Sequence, residues 1–163
     1  MTIVYIGLGS NLDKPAEQLQ QAVNSLKLLP QSSLQAVSSL YASKPMGPQD
    51  QPDYINAVAC ISTTLPALEL LDELQQIELT SGRVRKDQRW GARVLDLDVL
   101  LFGDELINTE RLTVPHYGMK VREFVIFPLA EINPKLILPT GESVITLQNN
   151  LAKNGLFIVG KLH

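Results

Sequence analysis

Two aspartates one residue apart, Asp96 and Asp98, interrupt the apolar run from Val94 to Phe102, directly after a cluster of cations. The run is rich in Val and Leu and lacks Gly and Pro, so it predicts a strand. Side chains alternate on a strand, which puts both carboxylates on one face, about 7 Å apart. Like charges so placed repel and resist burial. A divalent cation relieves both problems. Carboxylate oxygens suit Mg²⁺, which commonly takes one or two carboxylates together with substrate phosphates. The competing reading is a pair of charges on the solvent face of an edge strand, where charge blocks aggregation. Apolar neighbours on both faces favour an interior strand and therefore the metal.

The cations are Arg83, Arg85, Lys86, Arg89 and Arg93, opposed only by Asp87. An isolated basic run is usually a solvated loop. Beside a metal-competent pair it supplies what phosphate chemistry needs, because phosphoryl transfer is mostly positioning and charge stabilisation. The planar guanidinium also grips phosphate oxygens in pairs. Trp90, inside the run, either stacks on a flat ring or folds the loop.

Other chemistries find little support. There is no phosphate-binding G-x-x-x-x-G-K-[ST] loop, and Gly7-Leu8-Gly9-Ser10-Asn11-Leu12 lacks the third glycine of a dinucleotide fingerprint. That stretch reads instead as a tight strand-to-helix turn. His116 is one of two histidines, and no serine–histidine–acid set is legible. The single cysteine, Cys60, rules out an internal disulfide and sits in an apolar run as a small core residue. Gln75 and Glu78 share one side of a helix. Glu78 either meets an arginine or a ligand hydroxyl, or both are ordinary surface residues.

The elements that position these groups follow from patterning. The chain has 163 residues, 45% hydrophobic and 19% charged, as expected of one globular domain spanning 1–163. No run is long enough for a membrane helix and no signal peptide is legible, so a cytoplasmic location is expected. The net charge of −3 argues against a general nucleic-acid binder. Strands are expected at Ile3–Leu8, Leu34–Tyr41 and Tyr54–Ser62, besides the aspartate strand. One helix runs from Asp13 and Pro15 to a stop at Pro30, and a second from Thr64 and Pro66 to Gly82. The Pro/Gly/polar segment 43–53 is a long loop, a length that is often functional. Gly103-Asp104 predicts a hairpin turn from the aspartate strand into a short strand at Leu106-Ile107. Helices around 118–122 and 143–151 and an apolar stretch at 124–129 follow. The order strand-helix-strand-strand-helix-strand is that of an α+β, ferredoxin-like fold with a mainly antiparallel sheet and helices packed on it.

The segment Arg89–Leu100 resembles the signature of the 6-hydroxymethyl-7,8-dihydropterin pyrophosphokinase family of folate biosynthesis. Gly7–Asn11, Gly47–Asn56 and Arg111–His116 match in the same order. The resemblance implies transfer of pyrophosphate from ATP to the pterin hydroxymethyl group, giving AMP. It implies that Asp96 and Asp98 hold two Mg²⁺ and that Arg83 and Arg93 act on the transferring phosphates. Arg85, Lys86, Trp90, His116 and Tyr117 would support ATP, with Gln75, Glu78, Val99, Arg111 and Thr113 on the nucleotide side. Ser43, Pro45, Tyr54, Asn56, Arg122 and Phe124 would form the pterin side, Tyr54 and Phe124 sandwiching the ring. A monomer that binds small molecules, with no nucleic-acid or membrane partner, is expected. Lys44, Ala92 and Glu123 depart from the family pattern; Glu123 puts the role of Arg122 in question. Two other classes fit less well: a non-catalytic ferredoxin-like module binding nucleotide or RNA through 83–93, and a nucleotidyl- or phosphotransferase acting on another heterocyclic alcohol.

Overall fold

A computed structural model describes residues 1–11, 14–43, 54–81 and 95–163. Strand β1 (Thr2–Ser10) leads to helix α1 (Pro15–Leu26), strands β2 (Ser32–Val37), β3 (Ser39–Ser43) and β4 (Tyr54–Thr63), and helix α2 (Ala67–Thr80). Strand β5 (Asp96–Phe102), the short strands β6 (Ile107–Asn108) and β7 (Thr113–Val114), helices α3 (Glu123–Ile132) and α4 (Val144–Asn149), and strand β8 (Phe157–Lys161) follow. The main sheet runs β5-β1-β4-β3-β8, with β2 also on β4, and every pairing is antiparallel. The first five long strands and two helices thus reproduce the expected ferredoxin-like order.

Two apolar layers hold the sheet. Helix α1 presents Leu19, Ala22, Val23 and Leu26 at helical spacing, and α2 presents Leu70, Leu71 and Leu74. Both stripes pack on Ile6, Leu8, Ala59, Leu97 and Val99. On the opposite face α3 and α4 bury Ile126, Leu129 and Val144 against Tyr5, Val58, Cys60 and Leu101. A bulge sets the two layers apart on β5. Tyr5 pairs with Leu101 but Ile6 pairs with Val99, so Leu100 is an extra residue. Leu100 and Leu101 therefore both enter the second layer.

Several expectations are corrected. Among the described residues the aspartate strand is an edge strand, because β5 pairs there with β1 alone; its apolar character comes from being covered on both faces by helices. The glycines at 7 and 9 lie inside β1, not in a turn. The strand expected at Leu34–Tyr41 breaks at Ser38, whose hydroxyl accepts the Val58 amide at 2.9 Å. Helix α1 ends at Leu26 rather than at Pro30, as tight turns at Leu28 and Leu29 carry Leu29 into the core. Gly103 does turn the chain, at φ +55°, but the short strand beyond pairs with Thr113–Val114 and not with β5. The stretch at 124–129 is helical, residues 119–121 form only a 3₁₀ turn, and the C-terminal residues supply β8. Cys60 is buried as expected.

One tie between layers has a measurable consequence. Glu131 on α3 accepts hydrogen bonds from the Ser39 amide at 3.0 Å, the Ser39 hydroxyl at 2.9 Å and the Tyr41 hydroxyl at 2.7 Å. Glu131→Ala orphans these donors and is expected to destabilise the protein by about 1–3 kcal/mol in urea unfolding. Burial, and then the bond to Glu131, raise the Tyr41 hydroxyl above the usual tyrosine range. The neutral form is the one favoured by folding. Its contribution is complete below about pH 10, the unfolded tyrosine value, and is lost as pH rises above it. Tyr41→Phe should flatten the alkaline limb of the stability curve.

Candidate functional site

The aspartates stand on a face of the sheet stripped of side chains. In register, Gly9 lies opposite Asp96 and Gly7 opposite Asp98, while Gly9 also pairs with Asn56 on the other side. Glycine at both positions leaves bare backbone beside the carboxylates. A Cβ on Gly9 would stand 3.1 Å from Asn56 Oδ1, and one on Gly7 3.4 Å from Leu100 Cδ2. This floor is one the sequence reading missed. Its signal was available: two glycines at strand period 2 share a face and mark a close approach.

Above the floor lies a cavity of about 220 Å³. Ser43, Tyr54, Asn56, Arg122 and Phe124 line it together with Asp96, Asp98 and His116. Asn56 Nδ2 donates to Ser43 Oγ at 2.8 Å, which fixes the amide and leaves Oδ1 over Gly9. Tyr54 and Phe124 arrive from β4 and the first turn of α3 and meet in this cavity, a pairing no sequence spacing predicts. A second cavity wraps the edge of β5 between α2 and the segment 110–117. Gln75, Glu78, Val99, Arg111, Thr113 and Tyr117 line it, and so again do Asp96, Asp98 and His116. The aspartates and His116 are therefore a wall common to both cavities.

The individual groups are held from several directions. Asp98 is exposed and Asp96 half-buried. His116 is tied to β5 by its amide, which donates to Leu100 O at 3.0 Å. Burial above all, and Arg122, draw its imidazole below the usual histidine range, against the pull of Asp98. The neutral ring accepts the Gly118 amide on Nδ1 at 3.2 Å. Its proton then sits on Nε2, leaving a neutral donor. The Arg122 guanidinium lies between the Tyr117 and Phe124 rings, at 5.6 and 5.8 Å from their centres. Gly118 makes room for it, since a Cβ there would come within 2.9 Å of the guanidinium carbon. Glu123 does not engage Arg122 by any hydrogen bond or ion pair among the described residues; it accepts from Asn154 Nδ2 at 2.7 Å and from the Phe124 amide at 3.2 Å. Arg111 reaches back to α2, donating to Asp72 at 2.5 Å and Gln75 at 3.3 Å. Glu78 is 4% exposed, which corrects the surface reading, and accepts the Leu97 amide at 2.7 Å.

The donor set fits magnesium. Two carboxylates on an open floor suit an ion that keeps waters and takes its remaining ligands from phosphates. Among the described residues no group of three or more His, Cys, Asp or Glu could hold a metal, as a closed protein cage would require. Arg83, Arg85, Lys86, Arg89, Trp90, Arg93 and Pro45, with Lys44, Ala92 and the loops 44–53 and 83–93, lie outside the described residues.

Fold and site together define a ferredoxin-like transferase. Residues 5–134 match the family described as 7,8-dihydro-6-hydroxymethylpterin-pyrophosphokinase, and the chain belongs to that family. It is 55% identical over 152 residues to the 2-amino-4-hydroxy-6-hydroxymethyldihydropteridine pyrophosphokinase of Haemophilus influenzae, covering 93% of this chain and 94% of that one. It is 56% identical over 138 residues to the enzyme of the same name from Pseudomonas aeruginosa, covering 85% of each. A crystal structure of Plasmodium falciparum HPPK-DHPS superposes with a TM-score of 0.72 at 13% identity over 91% of this chain. At that identity the likeness is one of fold, and this chain spans 45% of the length of that one. Among the described residues no helix is long and apolar enough to cross a membrane.

Proposed function

We propose that this protein moves the β,γ-pyrophosphoryl group of ATP to the hydroxymethyl oxygen of 6-hydroxymethyl-7,8-dihydropterin, releasing AMP and the pterin diphosphate for folate biosynthesis. The observation that carries the reading is the wall of Asp96, Asp98 and His116 between two cavities, in a chain of this family. A group passing from one substrate to the other must cross that wall. The pterin belongs on the bare floor, where Tyr54 and Phe124 supply flat apolar walls and Asn56 and Ser43 read its polar edge. The nucleotide belongs along the edge of β5, beside Gln75, Glu78, Val99, Arg111 and Thr113, with Tyr117 at its mouth.

Asp96 and Asp98 would hold Mg²⁺, two ions in the fullest form of the proposal. When bound, Mg²⁺ neutralises phosphate charge and aligns attacking and leaving oxygens. The protein's own share is positional. His116 offers its Nε2 proton to a phosphate oxygen without adding charge. Arg122, braced by two rings, places a cation at the pterin side. Arg83 and Arg93 act on the transferring phosphates, with Arg85, Lys86 and Trp90 supporting ATP and Pro45 shaping the pterin loop. Action as a single-domain monomer in the cytoplasm belongs to the same proposal.

Incubation of the purified protein with Mg-ATP and the reduced hydroxymethylpterin tests it, and absence of AMP sinks it. Arg93→Ala refines the test. It should lower the chemical step by about 10²-fold, as loss of one charge-stabilising group does, with little change in ATP affinity. A defect confined to binding contradicts the role.

A further inference from the structure

We propose that Glu78 is a positioning residue for the Asp96–Asp98 pair, acting through the backbone of Leu97; this rests on the metal role proposed above. Strand β5 is the edge of the sheet among the described residues, and alternate amides point away from β1. Leu97 is the residue between the two aspartates, and its outward amide donates to Glu78 Oε2 at 2.7 Å. Glu78 sits near the end of α2 and is 4% exposed, although a carboxylate there opposes the helix dipole and resists burial. Such a group persists where a specific bond holds it. A charge-assisted bond to a backbone amide is short, strong and directional.

The arrangement does what the edge of a sheet cannot do for itself. On its inner side β5 is fixed by the ladder to β1. On its outer side no strand among the described residues extends the sheet, and the aspartates sit at the strand's first and third residues, where fraying begins. Glu78 supplies an acceptor, as a neighbouring strand would, at the one amide lying between them. Leu97 is pinned from below as well, its side chain packed in the α2 layer. Glu78 is not a third ligand, since no three-member ligand group exists among the described residues. It belongs with the outer partners that orient ligands, whose loss typically weakens metal affinity 10–100-fold.

Amide exchange and binding titrations separate this role from simple nucleotide contact. In metal-free wild type the Leu97 amide should be protected. Glu78→Ala should lose that protection and raise the Mg²⁺ concentration for half-maximal binding of a non-hydrolysable ATP analogue by about tenfold or more. In EDTA the analogue's affinity should fall by less than it does with Mg²⁺ present, because Glu78 also borders the nucleotide cavity. Glu78→Gln, which still offers a carbonyl oxygen to the amide, should retain protection and keep the Mg²⁺ requirement within about twofold; it also serves should the alanine variant not fold. Unchanged Leu97 exchange in Glu78→Ala, loss of Mg²⁺ affinity in Glu78→Gln, or an equal affinity loss with and without Mg²⁺ overturns the proposal. Wild-type analogue binding that ignores Mg²⁺ would instead overturn the metal reading, while leaving the exchange result to stand.

Discussion

Asp98→Ala is expected to lower turnover by about a thousandfold, the upper range for removal of one group that stabilises transition-state charge. Asp98 is exposed on an edge strand, so its loss should shift unfolding free energy by no more than about 0.5 kcal/mol. The variant therefore separates chemistry from folding. Binding of an ATP analogue should lose its response to Mg²⁺, while pterin affinity measured without nucleotide changes little. Asp96→Ala is expected to lose the Mg²⁺ response in the same way. Steady-state kinetics beside urea unfolding make the comparison, and an Asp98→Ala enzyme that retains turnover removes the carboxylates from the metal site.

Gly9→Val should weaken pterin binding selectively, with the fold intact. Valine suits a strand, and both ladders of Gly9 use backbone only. Its Cβ, however, meets Asn56 Oδ1 at 3.1 Å, and its methyls occupy the floor on which the flat ring is proposed to lie. Loss of that floor should cost about 1–3 kcal/mol of pterin binding, or roughly 5- to 150-fold in affinity. The nucleotide cavity lies on the far side of β5 and should bind its analogue as before. Calorimetric titration with each ligand in turn shows the split. Equal loss of both affinities would place the pterin elsewhere.

Much of this site was legible in sequence because strand period is simple. Alternation put Asp96 and Asp98 on one face, and helical spacing found the core stripes of α1 and α2. What escaped was set by contacts between distant segments. The apolar flanks of β5 suggested an interior strand, yet burial came from helices on both faces of an edge. Gly7 and Gly9 looked like a turn because glycine is more often punctuation than floor. Glu78 stayed open between a partner and plain surface because nothing in its helix reveals the amide it captures 19 residues later. Tyr54 and Phe124, 70 positions apart in the sequence, meet only through the docking of α3 on the sheet. Residues such as His116 and Arg122 needed the resemblance to be singled out; their geometry came from the turn at Gly118.

The glycine floor also bears on how the protein can change under selection. A molecule that rests on the backbone of Gly7 and Gly9 leans on atoms that every amino acid shares. No point mutation edits those atoms, and any added side chain fills the space the natural substrate is proposed to use. Escape from such an inhibitor would have to come through the surrounding walls, where Asn56, Phe124 and Arg122 line the cavity and are proposed to recognise the pterin. Compounds that maximise contact with the strand and minimise contact with the walls should therefore leave a narrow path to resistance.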